Sequence, residues 1–499
     1  MSEERSNPLT ARLLDEDKAN EDKANEDVTE ATPVDSLSPP AAIEAMRGEK
    51  QPLNWNRDWP FGVVFYIQFI TIITVGGIYT DDFIKMAQRG NQPENESNDL
   101  NLMIVLLPIL TAAGFAMILT QLALVVLTKM GKSFIHCSIW TNAIVSFVVG
   151  ITALANGVTV LGVLFLFSAL MGCCYACAVR NRIPFAAANL SAGVSSIKSN
   201  CGITLVSILF GVVLFAWIIL WSISLVGVMD MKEVCDENGG GDESDCILQV
   251  QNSGWSVLWL LLLFWTQQVF KNVVHTTVAG VVGTWYFDPE GATSCCSSAI
   301  FSSLYRSLTY SFGSICFGSL LVAIIQTLDA IVRSLRNERQ NGEQNVGAAL
   351  LLCCLDCLLS LLQGIIEYFN KWAFIYVGVY GYPFLTAGEK VMTLFQERGW
   401  TVVINDNLVR NALSLLSLVI ALLSGVTSLL VSPNNEPITF VAGFLVGLLL
   451  SSTVMSIIDS AVSTIIVCFA EAPAELEQNH SKHSRNMKEA WNKVYDISF

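Results

Sequence analysis

Long apolar runs decide what this chain can fold into. Charges are scarce in ten stretches, at 61–80, 101–128, 134–155, 157–179, 203–229, 255–287, 303–332, 345–369, 408–431 and 437–469. An α-helix rises about 1.5 Å per residue, so roughly 20 apolar residues cross a hydrocarbon core about 30 Å thick. Within that core every backbone donor and acceptor must be satisfied inside the protein, which a helix does unaided. The expected fold is therefore all-α: a polytopic integral membrane protein with about ten transmembrane helices and the lipid bilayer as its main solvent. Composition agrees. Only 14% of residues are charged and mean hydropathy is +0.52, whereas a soluble domain carries about 25% charged residues.

The formal charge of -15 gives little information about partners, because it is concentrated in three polar segments. Residues 1–60, 80–100 and 230–253 hold the acidic excess, and the rest is close to neutral. No basic surface is present to attract nucleic acid. Residues 1–58 read as a disordered acidic cytoplasmic tail, with the segment EDKAN repeated at 16–20 and 21–25 and a Ser/Pro-rich stretch after it. Too little apolar surface is available there to offset the entropy of ordering. The tail has the character of a docking segment for cytoplasmic partners. Residues 59–470 read as the transporter-like helical domain, with a chain break and interfacial segment over 370–407. Residues 471–499 read as a cytoplasmic C-terminal tail.

Lys129, Lys132, Arg180, Arg182 and Lys198 flank the second to fifth runs. Lysine and arginine beside a span favour the cytoplasmic side, so both termini are expected inside. The loops 80–100 and 230–253 then lie outside. The first contains the sequon Asn95-Glu96-Ser97, a candidate glycosylation site. The second contains Cys235 and Cys246, a candidate disulfide in an oxidising compartment. Arg333, Arg336 and Arg339 fall in a loop that this scheme also places outside, against the general rule.

Familiar catalytic signatures are missing. No GxxxxGK[ST] phosphate loop, HExxH or GxSxG occurs, and the expectation is a protein that is not an enzyme and needs no cofactor. The groups Cys173, Cys174, Cys177 and Cys353, Cys354, Cys357 lie in strongly apolar runs where cysteine packs as a small hydrophobe, so no metal site is expected.

Polar side chains at membrane depth are costly and usually face the protein interior or a hydrated path. Residues three or four apart share a helix face, and three rows follow that spacing. Trp265, Gln268, Asn272 and His275 form one; Asp356, Ser360, Gln363 and Glu367 another; Ser452, Ser456, Asp459 and Ser463 a third. Interhelical hydrogen bonds worth about 0.6 kcal/mol each would account for single members. A path between helices accounts for three rows together. Trp265, Gln268 and Asn272 are the candidate substrate-binding residues, since a ring face holds a quaternary ammonium. His275, Glu367 and Asp459 are the candidate proton-coupling residues.

The same segments carry a likeness. QVFKNVVHTTVAGVVGTWY at 268–286, GSICFGSLLVAIIQ at 313–326, FNKWAFIYVGVYGYPFLTAGEK at 369–390 and INDNLV at 404–409 resemble, in order and spacing, the choline transporter-like family. A first exterior loop of only about twenty residues, and Asn370-Lys371-Trp372-Ala373 in place of the animal pattern, resemble the fungal and protist branch more closely. The resemblance implies ten membrane helices, cytoplasmic termini, and passage of choline or a related organic cation across the plasma membrane, facilitated or exchanged against protons. A non-transporting membrane scaffold or trafficking factor, and a channel, are the competing functions.

Overall fold

The computed structural model describes residues 48–53, 58–89, 102–228, 231–235, 246–250, 253–340, 346–397, 408–432 and 437–495. Asn95 and the acidic tail up to residue 47 lie outside them. Among the described residues the chain is mainly helical from Trp59 onward. The long helices are α1 (Trp59–Arg89), α2 (Leu102–Ala155), α3 (Thr159–Val179), α5 (Gly202–Val228), α6 (Ser253–Phe287), α8 (Phe312–Gln340), α9 (Val346–Val379), α11 (Leu408–Val431) and α12 (Pro437–Glu471). Shorter ones are α4 (Ile183–Ser199), α7 (Ser298–Leu308), α10 (Phe384–Glu397), α13 (Pro473–Asn479) and α14 (Ser481–Tyr495). Between α5 and α6, β1 (Met231–Cys235) and β2 (Cys246–Val250) form a two-stranded antiparallel ribbon. Its register makes Cys235 and Cys246 Cα partners; their side chains lie outside the described residues.

Among the described residues nine helices are long and apolar enough to cross a membrane. One of them, the 49-residue apolar part of α2, would be about 74 Å long if straight, more than twice the hydrocarbon core. It breaks at Met130, which has φ -124° and ψ 22°. The break falls between the expected spans 101–128 and 134–155, so one kinked helix covers what the sequence divides into two spans. Two other boundaries differ from expectation. The run at 303–332 is divided: α7 is a short amphipathic helix, and the crossing begins at Phe312. The run at 345–369 continues unbroken to Val379, so the segment 370–407 opens inside a crossing. The break comes at Tyr380–Pro383, where Gly381 takes φ +81°, a left-handed conformation glycine adopts without a Cβ penalty. Pro383 and the amphipathic α10 follow.

Two packed cores result. One joins α1, α5, α6, α8, α9 and α10; the other joins α2, α3 and α11. Helix α12 belongs to both: Ile457, Ala461 and Ile465 face the first, Val454, Met455, Ile458 and Val462 the second. Helix α4, read from the sequence as a loop, does the same with Phe185, Ala192 and Ile197 on one side and Ile183, Leu190 and Val194 on the other. Contact between α11 and α12 is close because the Gly443/Gly447 pair has no side chains. A Cβ on Gly447 would stand 2.6 Å from Ser424 Cβ, a distance that forces the helices apart.

Candidate functional site

The polar rows meet where the two cores meet. Gln268, Lys271, Asn272 and His275 of α6, Glu367, Asn370 and Lys371 of α9, Arg410 of α11, and Ser456, Asp459 and Ser460 of α12 line one cavity of about 90 Å³. At about 30 Å³ per water, that is room for about three. Asp459 lies about 18 Å from the C-terminal end of its helix at 1.5 Å per residue, well inside the crossing.

An ion cluster spans the seam. Lys371 Nζ stands 3.3 Å from each carboxylate oxygen of Asp459, and Arg410 Nη2 donates to Asp459 Oδ2 at 3.2 Å. One carboxylate thus ties a cation from the first core to a cation from the second. His275 bridges the same helices. Its Nε2 lies 2.9 Å from the Lys371 carbonyl, an acceptor, so Nε2 carries the proton and donates. Its Nδ1 is 2.7 Å from Ser460 Oγ, which also lies 3.0 Å from the Ser456 carbonyl. A neutral ring accepts the serine proton at Nδ1. A protonated ring donates to Ser460, which then turns its own proton to Ser456. Both charge states keep their hydrogen bonds, which is the requirement for a group that gains and loses a proton in place.

Glu367 is different. It accepts from Gln363 Nε2 of its own helix at 2.8 Å, and among the described residues no cation lies within ion-pair distance of it. Asp356, about three turns earlier in the row, is instead held by Arg336 at 2.9 Å and Arg333 at 3.7 Å, and Arg333 also pairs with Asp329 at 2.9 Å. Two of the three arginines that run against the charge rule, Arg333 and Arg336, are therefore paired with acids of α8 and α9.

Five of the six candidate residues (Gln268, Asn272, His275, Glu367 and Asp459) line the cavity. Trp265 does not. It is 3% exposed, packs edge-on against Phe65 and donates Nε1–H to the Cys316 carbonyl at 2.9 Å. Asn272 and Asn370 reach the same stretch of α8, through Ser319 Oγ at 2.9 Å and the Gly318 carbonyl at 2.7 Å. Segments 268–286, 313–326 and 369–390 are thus laced together by side-chain hydrogen bonds. Lys371 and Arg410 were missing from the candidates: Arg410 is a cation inside the run 408–431, the signal that had selected Asp459 and Glu367, while Lys371 lies just past the run 345–369 and joins the crossing only because the helix runs on to Val379.

Toward the C-terminal end of α12 the protein is sealed. Glu471, 1% exposed, accepts hydrogen bonds from Tyr380 Oη at 2.6 Å, Tyr376 Oη at 3.2 Å and the Gly48 amide. Burial and the neighbouring carboxylate push the Tyr380 phenol well above its usual range, so it stays a donor. Residues 48–53 lie across this end, with Gln51 N donating to the Tyr380 carbonyl at 2.9 Å. A second cross-link joins the loop before α5 to the loop after α6, through Cys201 and Cys295 with Cα atoms 4.6 Å apart. It places those two loops on one side of the helix layer.

Nine long apolar helices among the described residues, with a charged cavity at the seam of two packed cores, define a polytopic integral membrane protein by class. The family model described as plasma-membrane choline transporter matches residues 163–474, and the chain belongs to this choline transporter-like family. Protein PNS1 of Eremothecium gossypii is 30% identical over 438 residues, covering 83% of this chain and 78% of the relative. Protein PNS1 of Saccharomyces cerevisiae is 30% identical over 376 residues, 73% and 68% respectively. A CTL-like protein of Dictyostelium discoideum is 30% identical over 324 residues, 64% and 55%. These relatives are the fungal and protist members expected from the motifs.

Proposed function

We propose that the chain is a facilitative or proton-coupled carrier of choline or a related small organic cation at the plasma membrane, with both termini cytoplasmic. The supporting observation is the seam cavity: its one acid without a cationic partner, Glu367, faces polar groups on α6, while Asp459 is already neutralised by Lys371 and Arg410. Glu367 takes the substrate's positive charge, with Gln268 and Asn272 as polar neighbours. A cation arriving beside Glu367 repels Lys371 and Arg410, and separating either from Asp459 loosens the tie between the two cores. His275 adds or removes a proton at the same seam. Trp265, behind the cavity wall, supports α6 rather than caging the ammonium.

An inside-negative potential favours uptake by about 2.3 kcal/mol per charge per 100 mV, so a uniporter needs no further driving force. Cytoplasmic termini put the sealed Glu471 end inside. Residues 1–58 then form a cytoplasmic tail, 59–470 the transport domain and 471–499 a cytoplasmic C-terminal segment. The sequon at Asn95 and the Cys235–Cys246 ribbon lie outside, where glycosylation and a disulfide can form.

The test is labelled choline uptake into liposomes holding the purified protein, with voltage and pH gradients imposed separately. Saturable uptake that rises with inside-negative voltage, and falls at least about tenfold in Glu367→Gln, is expected; one charge-assisted contact of 1.5–3 kcal/mol has that effect. Uptake of equal size in empty liposomes would remove the proposal. A second reading has its own observation: the cavity carries three cations against two carboxylates and no aromatic lining except the imidazole. A zwitterionic substrate with an acidic group fits that balance, and competition by such a solute at lower concentration than choline would favour it.

A further inference from the structure

Beneath the strap 48–53, a second enclosed space lies between α6, α7 and the end of α9, separate from the seam cavity. It measures about 20 Å³ and is lined by Gln51, Thr276, Ser303, Arg306 and Gly378 among others. No acid lines it. The Arg306 guanidinium makes one long contact, Nη2 to the Gly378 carbonyl at 3.5 Å. Its Nε is buried and makes no hydrogen bond, and no carboxylate among the described residues pairs with it. Ser303 and Thr276, 2% and 1% exposed, present hydroxyl oxygens without a partner. Most helical serines and threonines here return their proton to a carbonyl one turn back, as Thr277 and Thr284 do; these two do not.

A half-buried guanidinium without a counter-charge is costly, and so is each buried hydroxyl left unpaired. One anion would accept from all three donors around this small space and also neutralise the guanidinium, which a water would not. The size points the same way: about 20 Å³ is room for a single water-sized particle, which suits a monatomic ion better than a tetrahedral oxyanion. The backbone is adapted to the approach. A Cβ on Gly280 would stand 2.6 Å from Ser303 Oγ and 3.2 Å from Arg306 Nη2, so glycine at 280 is what lets α7 bring both groups to α6.

We infer that Arg306, Ser303 and Thr276 form a binding site for a small monovalent inorganic anion of chloride size, closed over by the strap at Gln51. The anion neutralises Arg306 and accepts the two hydroxyl protons, fastening α7 and the strap to the ends of α6 and α9.

The measurement is the thermal unfolding midpoint of the purified full-length protein, followed by tryptophan fluorescence while sodium chloride replaces sodium gluconate at constant ionic strength. The midpoint should rise saturably with chloride. Ser303→Ala, which removes one donor from a group that has no protein partner to lose, should raise half-saturating chloride about two- to tenfold, the effect of one hydrogen bond of 0.5–1.5 kcal/mol. Arg306→Gln should abolish the dependence. Equal midpoints in chloride and gluconate would overturn the site, leaving water as the occupant. If Arg306→Gln does not fold, an unchanged half-saturation in Ser303→Ala overturns it equally. Neither readout depends on the transported substrate.

Discussion

Asp459 carries more of this structure than any other side chain in the seam, because two cations depend on it. Its loss as a charge leaves Lys371 and Arg410 facing each other without an anion. Removing one partner of a buried pair costs about 3–5 kcal/mol; Arg410 is 47% exposed at its side chain, so solvent screens part of that here. Asp459→Asn should therefore lower the unfolding midpoint in detergent clearly, and the double variant Asp459→Asn/Lys371→Met should recover part of the loss. A double variant as unstable as the single one would mean the charges are not coupled. The acid was legible in the sequence because a carboxylate in an apolar run is rare and its helical spacing with Ser456 and Ser463 showed one polar face. Its partners were not, since Lys371 and Arg410 lie 88 and 49 residues away and charge pairing across that separation is a matter of folding. Trp265 shows the converse. Its spacing put it on the same face as Gln268, yet the neighbouring α1 and α8 fill the space over its ring, and a helix face does not say which neighbour covers it.

At the scale of elements, the C-terminal segment is more than a tail. Leu476, Met487, Ala490 and Trp491 are buried in the first core, and Trp491 meets Phe185 of α4 edge-on at 5.2 Å. His480 stacks on Trp285 at 3.7 Å and donates from Nε2 to the Trp285 carbonyl at 2.8 Å. Burial, opposed by that hydrogen bond, lowers the pKa of His480. Burial, with His480 and Lys482 nearby, lowers that of His483. Both groups bind a proton more readily when the segment is undocked, where their pKa is near 6.5. Their contribution to docking is complete above that pH and is lost as pH falls below it. Limited proteolysis of the C-terminal segment should accelerate between pH 7.5 and 5.5, and His480→Phe, which keeps the stack and cannot titrate, should flatten that dependence. A cleavage rate independent of pH in the parent protein would show that the histidines do not govern docking. The sequence reading made this segment only a tail, because its anchor, Trp285, lies far away in the chain on α6.

At the scale of the whole molecule, two packed cores share α4 and α12 and meet across a cavity held by one ion cluster. That division suits alternating access, in which one body moves against the other around a central site. Every group in the proposed mechanism lies C-terminal to residue 47, so a protein lacking residues 1–47 should retain its voltage-dependent uptake within about twofold, a change under 0.5 kcal/mol. Loss of flux with the protein still in the membrane would transfer the function to the tail and favour a scaffold. From the residues alone it follows that this chain is a helical membrane protein, roughly how many long apolar spans it has, and which helix faces are polar. This is so because the bilayer imposes length and apolarity on each helix separately, residue by residue. Which helices adjoin, that α9 runs on to Val379, that Lys371 and Arg410 close on Asp459, and that Arg306 is left without an acid were decided only by the tertiary structure. Those outcomes depend on packing between segments far apart in the chain, where lipid gives helices no hydrophobic reason to prefer one neighbour over another and close fit between side chains makes the choice.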